Sequence, residues 1–152
     1  MIAKRLKPSL VLLSCCLLLA ACVSVRSVDA PADGPHRQAY QPGKLFSPIV
    51  RSGDLLFLSG VIGRDEAGQN GIEPETRRAL DKIRERLALA GGRMEDIVKC
   101  TVFLDDIANY DAMNAIYAGY FPKDPPARTA LAVKALPVGA KVEIECIAAE
   151  KK

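Results

Sequence analysis

Residues 141–149 read KVEIECIAA. Val142, Ile144 and Cys146 alternate with Glu143 and Glu145, the period of two that a strand with one buried and one wet face requires. Such a strand commits the chain to a sheet covered on one side, so the remaining segments must supply further strands and a helical layer. LLFLSGVIG (55–63) is a continuous apolar run bounded by glycine, as a buried strand demands, and PIVRS before it is a weaker strand candidate. DIVKCTVFLDD (96–106) and ARTALAV (127–133) are rich in the residues that strands favour.

Two stretches carry helical spacing instead. After Pro74, Leu80, Ile83, Leu87 and Ala90 recur at three and four until Gly91-Gly92 stops the pattern. The charges between them (Arg77, Arg78, Asp81, Lys82, Arg84, Glu85, Arg86) are expected on the outer face. NYDAMNAIYAGYF (109–121) places Tyr110, Met113, Tyr117 and Tyr120 on one stripe, with Asn109 or Asp106 as cap and Pro122 beyond its end. The order β-β-α-β-α-β-β predicts an α+β domain, with both helices on one face of a mixed sheet.

Upstream of this domain the composition changes. Lys4, Arg5 and Lys7 precede the apolar run SLVLLSCCLLLA, shorter than the ~20 residues a bilayer span takes and laid out like a secretory signal. Its end, Leu19-Ala20-Ala21-Cys22, resembles the lipobox of bacterial lipoproteins, which implies acylation of Cys22. The expectation is a signal over 1–21, a flexible tether over 22–44 rich in proline and glycine, and a globular domain over 45–150. The protein is then exported, periplasmic and held to a membrane by lipid alone. The whole chain has 21 basic and 18 acidic residues, but three of the bases lie in the signal, which leaves 18 of each. Nothing in that balance calls for nucleic acid. Of the cysteines outside the signal and lipobox, Cys100 and Cys146 read as small buried apolar residues, free thiols in preference to the disulfide that an oxidising compartment would permit if their Cβ atoms faced each other.

Common catalytic sets are missing. The lone histidine, His36, falls in the expected tether, so a Ser-His-Asp or Cys-His set is not available to the core. No CxxC or HExxH spacing marks a metal site. The candidates left are carboxylates, an arginine and an amide. Glu143 and Glu145 share a strand face about 7 Å apart, a spacing that also suits a solvated face. Asn114 lies beside an apolar stripe, either at its boundary or buried and in need of partners. Arg128 follows Pro125-Pro126 and is either a solvated strand end or a planar anion clamp.

PPARTALAVKALPVGAKVEIECIA resembles the C-terminal signature of the Rid family (reactive intermediate deaminases, also called YjgF-type or endoribonuclease L-PSP proteins). LFLSGVIG and GGRMEDIVKCTVFLDDIANYDAMNAIYAGYF, with its N-x-x-Y, resemble that family's upstream motifs, so the likeness covers about residues 46 to 149. It implies a chorismate-mutase-like fold, a homotrimer with clefts between subunits, and hydrolysis of enamine or imine acids such as 2-aminoacrylate to 2-keto acids and ammonia. No cofactor and no metal are implied. By the resemblance, Arg128 grips the substrate carboxylate, Glu143 activates water, Asn114, Ser59 and Gly60 line the cleft, and the backbone at Ala130 helps hold the carboxylate. Ile49 stands where the family usually has tyrosine, which implies a more apolar pocket. A non-catalytic binder of small carboxylates is the other reading. A ribonuclease, the activity in some family names, is disfavoured by the neutral charge.

Overall fold

The computed structural model describes residues 37–150. The expected signal, Cys22 and His36 lie outside the described residues. A six-stranded sheet is built from β1 (Arg37–Tyr40), β2 (Ile49–Ser52), β3 (Leu55–Ile62), β4 (Ile97–Leu104), β5 (Ala127–Ala132) and β6 (Val142–Ala149). Two helices, α1 (Ile72–Leu89) and α2 (Tyr110–Tyr120), complete the domain. The strand order is β1-β2-β3-β6-β4-β5. Every neighbouring pair is antiparallel except β4 and β5, so the sheet is mixed as expected.

The expected tether ends earlier than its composition implies, because β1 occupies residues 37–40 and pairs Arg37 with Ser52 and Tyr40 with Ile49. RQAY has no apolar alternation of its own. The strand exists because β2 offers an unpaired edge and because the Arg51 guanidinium lies 5.7 Å from the Tyr40 ring centre and donates from Nε to its hydroxyl at 2.8 Å.

Alternation then divides each strand between two faces. Leu56, Leu58 and Val61 of β3, Cys100, Val102 and Leu104 of β4, and Val142, Ile144 and Cys146 of β6 meet Leu80, Ile83 and Leu87 of α1 and Met113 of α2 in one buried core. Gly91, at φ +80, and Gly92 end α1 with backbone donations to the carbonyls of Ala88 and Leu87. Asp106 caps a short 3-10 turn over 107–109 by accepting from the Ala108 amide, and α2 follows directly.

A buried carboxylate locks the layers together. Glu75, with no exposed surface, accepts from the Gly71 amide at 3.1 Å and from the Lys141 amide at 2.7 Å. The start of α1 and the entry to β6 are thereby held side by side, and both carboxylate oxygens are satisfied.

Cys100 and Cys146 are not free thiols. They stand opposite each other on β4 and β6, with Cα atoms 4.1 Å apart, and are joined in a disulfide. Sequence spacing could not give this, because it depends on the register of two strands 46 residues apart.

Candidate functional site

The structure gathers the expected residues into two clusters on opposite faces of the sheet. The first is on the helical side. Arg128 pairs in register with Cys100, so its side chain leaves β5 toward α2. Its guanidinium lies 4.7 Å from the Tyr117 ring centre and 5.7 Å from that of Tyr110, and Nη2 donates to the Tyr110 hydroxyl at 3.3 Å. Met113 Sδ stands 3.9 Å from Nη1. Two aromatic faces and a soft sulfur hold a planar cation in place without neutralising it. No carboxylate pairs with Arg128 among the described residues.

Asn114, Tyr117, Phe121, Pro125, Pro126 and Arg128 line a concavity of about 410 Å³. Asn114 and Arg128, far apart in sequence, therefore meet. Asn114 Oδ1 and the Tyr117 hydroxyl are both buried without a hydrogen-bond partner. Burial pushes the Tyr117 phenol up to about 12, against the opposing pull of Arg128, so it keeps its proton at neutral pH.

Ala130 adds a backbone donor to this side. The Val133 amide donates to the Leu104 carbonyl at 2.8 Å, which fixes the alternation along β5. By that alternation the Leu131 and Thr129 amides also face β4, while those of Ala130 and Arg128 face the free edge of the sheet.

The second cluster is on the bare face. Glu143 pairs with Ile62 and Phe103, on the opposite side of the sheet from the core. Its carboxylate lies directly over Gly60, where a Cβ would collide with it. The β3–β6 register shifts between Leu58 and Val61, so Ser59 and Gly60 form an irregular stretch that makes room for that carboxylate. The Ser59 hydroxyl donates to the Ser47 carbonyl at 2.7 Å, which ties this stretch to the approach of β2. Glu145 lies on the same bare face, opposite Thr101. A concavity of about 290 Å³ there is lined by Ser59, Lys99, Thr101 and Glu145 among others, without Glu143.

Within one chain the two clusters do not meet. Arg128 and Glu143 are separated by two strand spacings and three residues of rise, roughly 14 Å between Cα atoms, and they point to opposite faces. Ile49 corrects an expectation. It is 0% exposed and packs in the core opposite Leu58, because the alternation of β2 turns it toward the helices and away from solvent. Arg86 also departs from the reading of an outward charge: it is half-buried and donates to the Ser59 carbonyl at 3.0 Å. Tyr110 and Tyr117 were legible as an apolar stripe but not as the seat of Arg128, since that needs the β5–α2 contact.

This fold, a mixed sheet backed by two helices, is shared with known proteins. The endoribonuclease L-PSP profile matches residues 36–150, and the chain belongs to this family, the Rid or YjgF family. Reactive Intermediate Deaminase A of Arabidopsis thaliana is 41% identical over 107 residues, 68% of this chain and 57% of that protein. Protein DfrA of Myxococcus xanthus is 37% identical over 130 residues, 82% of this chain and 93% of its relative. The human 2-iminobutanoate/2-iminopropanoate deaminase is 39% identical over 116 residues, 72% of this chain and 85% of that protein. Among solved structures, the Rid-family protein YyfA from Yersinia pestis superposes with a TM-score of 0.72 at 34% identity, covering 76% of this chain and all of YyfA.

Proposed function

We propose that the chain hydrolyses small enamine or imine acids of the 2-aminoacrylate type to 2-keto acids and ammonia, in clefts completed by neighbouring copies in a homotrimer. The observation that carries this reading is the Arg128 guanidinium, seated on two tyrosine rings, unpaired with any carboxylate among the described residues, and facing the concavity that holds Asn114. Relatives named as imine deaminases at about 40% identity supply the reaction class.

A planar carboxylate matches the guanidinium fork, and the outward Ala130 amide is placed to donate to it as well. Glu143, with no hydrogen-bond donor of its own among the described residues, takes a proton from water. The resulting hydroxide adds to the imine carbon to give a carbinolamine. Glu143 returns that proton to nitrogen and then carries the carbinolamine hydroxyl proton to the same nitrogen, so the carbon–nitrogen bond breaks, ammonia leaves, and the carbonyl remains on the keto acid. An enamine enters the same sequence after tautomerising to the imine. The imine carbon is already electrophilic, so orientation and general-base assistance of about 10²–10⁴-fold carry the step. Because Arg128 and Glu143 face opposite sides of one sheet, a shared cleft takes Arg128 from one copy and Glu143 from another.

The test uses 2-aminoacrylate generated in situ by a serine or threonine dehydratase, with keto-acid release followed against the uncatalysed rate. Arg128→Ala and Glu143→Gln should each lower kcat/KM by about 10²-fold or more. If both variants match the parent, the assignment is wrong. Saturable, Arg128-dependent keto-acid binding without turnover would make the protein a binder instead.

Export and lipidation at Cys22 belong to the same reading. The basic and apolar start of the chain and the Cys100–Cys146 disulfide, a bond that persists in oxidising compartments, both support it. Intact mass from native membranes should show a diacylglyceryl adduct on a chain starting at Cys22; an unprocessed chain without lipid refutes this.

A further inference from the structure

Arg86 is a charged group for which the reaction has no direct use. It lies in the last turn of α1, is half-buried and has no carboxylate partner among the described residues. Desolvation by that burial lowers the pKa of its guanidinium, a cost that needs a reason.

The reason is a gap in the β2–β3 ladder. The register places Ile49 opposite Leu58, so the preceding pair is Pro48 opposite Ser59. In a hydrogen-bonded antiparallel pair the two residues exchange both N–H to carbonyl bonds. Half of that exchange is present, since the Ser59 amide donates to the Pro48 carbonyl at 3.1 Å. The other half cannot form, because proline has no N–H. The Ser59 carbonyl would be left unpaired in a half-buried place, and Arg86 Nη1 donates to it at 3.0 Å. Toward β6 the register shifts between Leu58 and Val61, so Ser59 and Gly60 together stand opposite Glu145 and the ladder is irregular there. Beside this irregular ladder, Ser59 is held by the Pro48 carbonyl, by its hydroxyl on the Ser47 carbonyl, and by Arg86.

We propose that Arg86 is a positioning residue, standing in for the amide that Pro48 lacks and holding the Ser59–Gly60 stretch in the shape that seats the Glu143 carboxylate. Its effect on turnover rests on the reading of Glu143 as the base; its effect on the backbone does not. Arg86 touches neither substrate nor Glu143. It acts through the geometry of Gly60, against which the carboxylate rests.

The variants Arg86→Met and Arg86→Met with Pro48→Ala decide the matter. Pro48→Ala supplies a backbone N–H opposite the Ser59 carbonyl, so it replaces the donor that Arg86→Met removes. Arg86→Met should lower kcat about tenfold with KM within about twofold, the pattern of a misplaced catalytic group and not of lost binding. It should also speed amide hydrogen exchange at Ser59 and Gly60. Adding Pro48→Ala should bring both kcat and exchange back toward the parent. Arg86 acting only through general packing would leave the double variant as slow as Arg86→Met and its exchange as fast, and that result overturns the proposal. If the parent itself hydrolyses no imine, the proposed reaction is lost, and the exchange measurements still decide whether Arg86 replaces the missing amide.

Discussion

At Gly60 and Gly63, two glycines of one short stretch, the same substitution should have opposite consequences. A Cβ on Gly60 would strike the end of the flexible Glu143 side chain, which can move away. A Cβ on Gly63 would strike the backbone carbonyl of Glu75, which the Gly71 and Lys141 contacts of that residue hold in place. Gly60→Ala should therefore lower kcat by about 10-fold or more through displacement of the base while thermal stability changes little. Gly63→Ala should destabilise by about 1–3 kcal/mol, as overpacking does, without selective loss of turnover per folded molecule. Paired kcat and melting measurements separate the two, and a Gly60→Ala enzyme with parental kcat would remove Glu143 from its assigned seat. Residues such as Arg128, Glu143 and Asn114 could be picked out of the sequence, because their motif resembles a known family. Glu75 and Arg86 could not, because their roles lie in contacts to backbone atoms that no spacing encodes. Ile49 was misread for a related reason: the residue type was visible, but the face of β2 on which it falls was not.

The elements show how far patterning alone reaches. Residues with a strong period, such as Leu80, Ile83 and Leu87 in α1 and Val142, Ile144 and Cys146 in β6, form the elements their spacing predicts. β1 escaped prediction because an edge strand is made by its partner, here through Arg51 and Tyr40. The Cys100–Cys146 bond escaped because it is a property of the β4–β6 register. It joins the central strands, between the one that carries Glu143 and the one beside Arg128. Closing a loop of this separation, 46 residues, restricts the unfolded chain by about 4 kcal/mol on the loop-entropy estimate. Cys100→Ala with Cys146→Ala, or full reduction, should lower unfolding stability by an amount of that order, measured by urea titration with and without reductant. A stability independent of reductant would show that the bond does not form in the folded protein.

At the scale of the molecule, the proposed reaction makes assembly part of the chemistry, because Arg128 and Glu143 face opposite sides of the sheet. The bare face also carries Phe57 and Leu131, both about 40% exposed, a surface suited to burial against another copy. Arg128→Ala and Glu143→Gln, each inactive alone, should regain a fraction of parental turnover when unfolded together, mixed and refolded, because some mixed assemblies bring an intact arginine from one chain to an intact glutamate from another. Complete failure to complement, with mixed assemblies verified by mass, would place both groups of each site in one chain. The cysteine pair gives the molecule a further property. Asn114, Arg128 and Glu143 all lie between positions 100 and 146, inside a covalent ring, while Ser59, Gly60 and Arg86 lie outside it. A protease that nicks the exposed Lys123–Asp124 turn would open a peptide bond without releasing a fragment, so the severed ends would stay tethered to the same sheet and the cut protein would run as one piece until reductant is added.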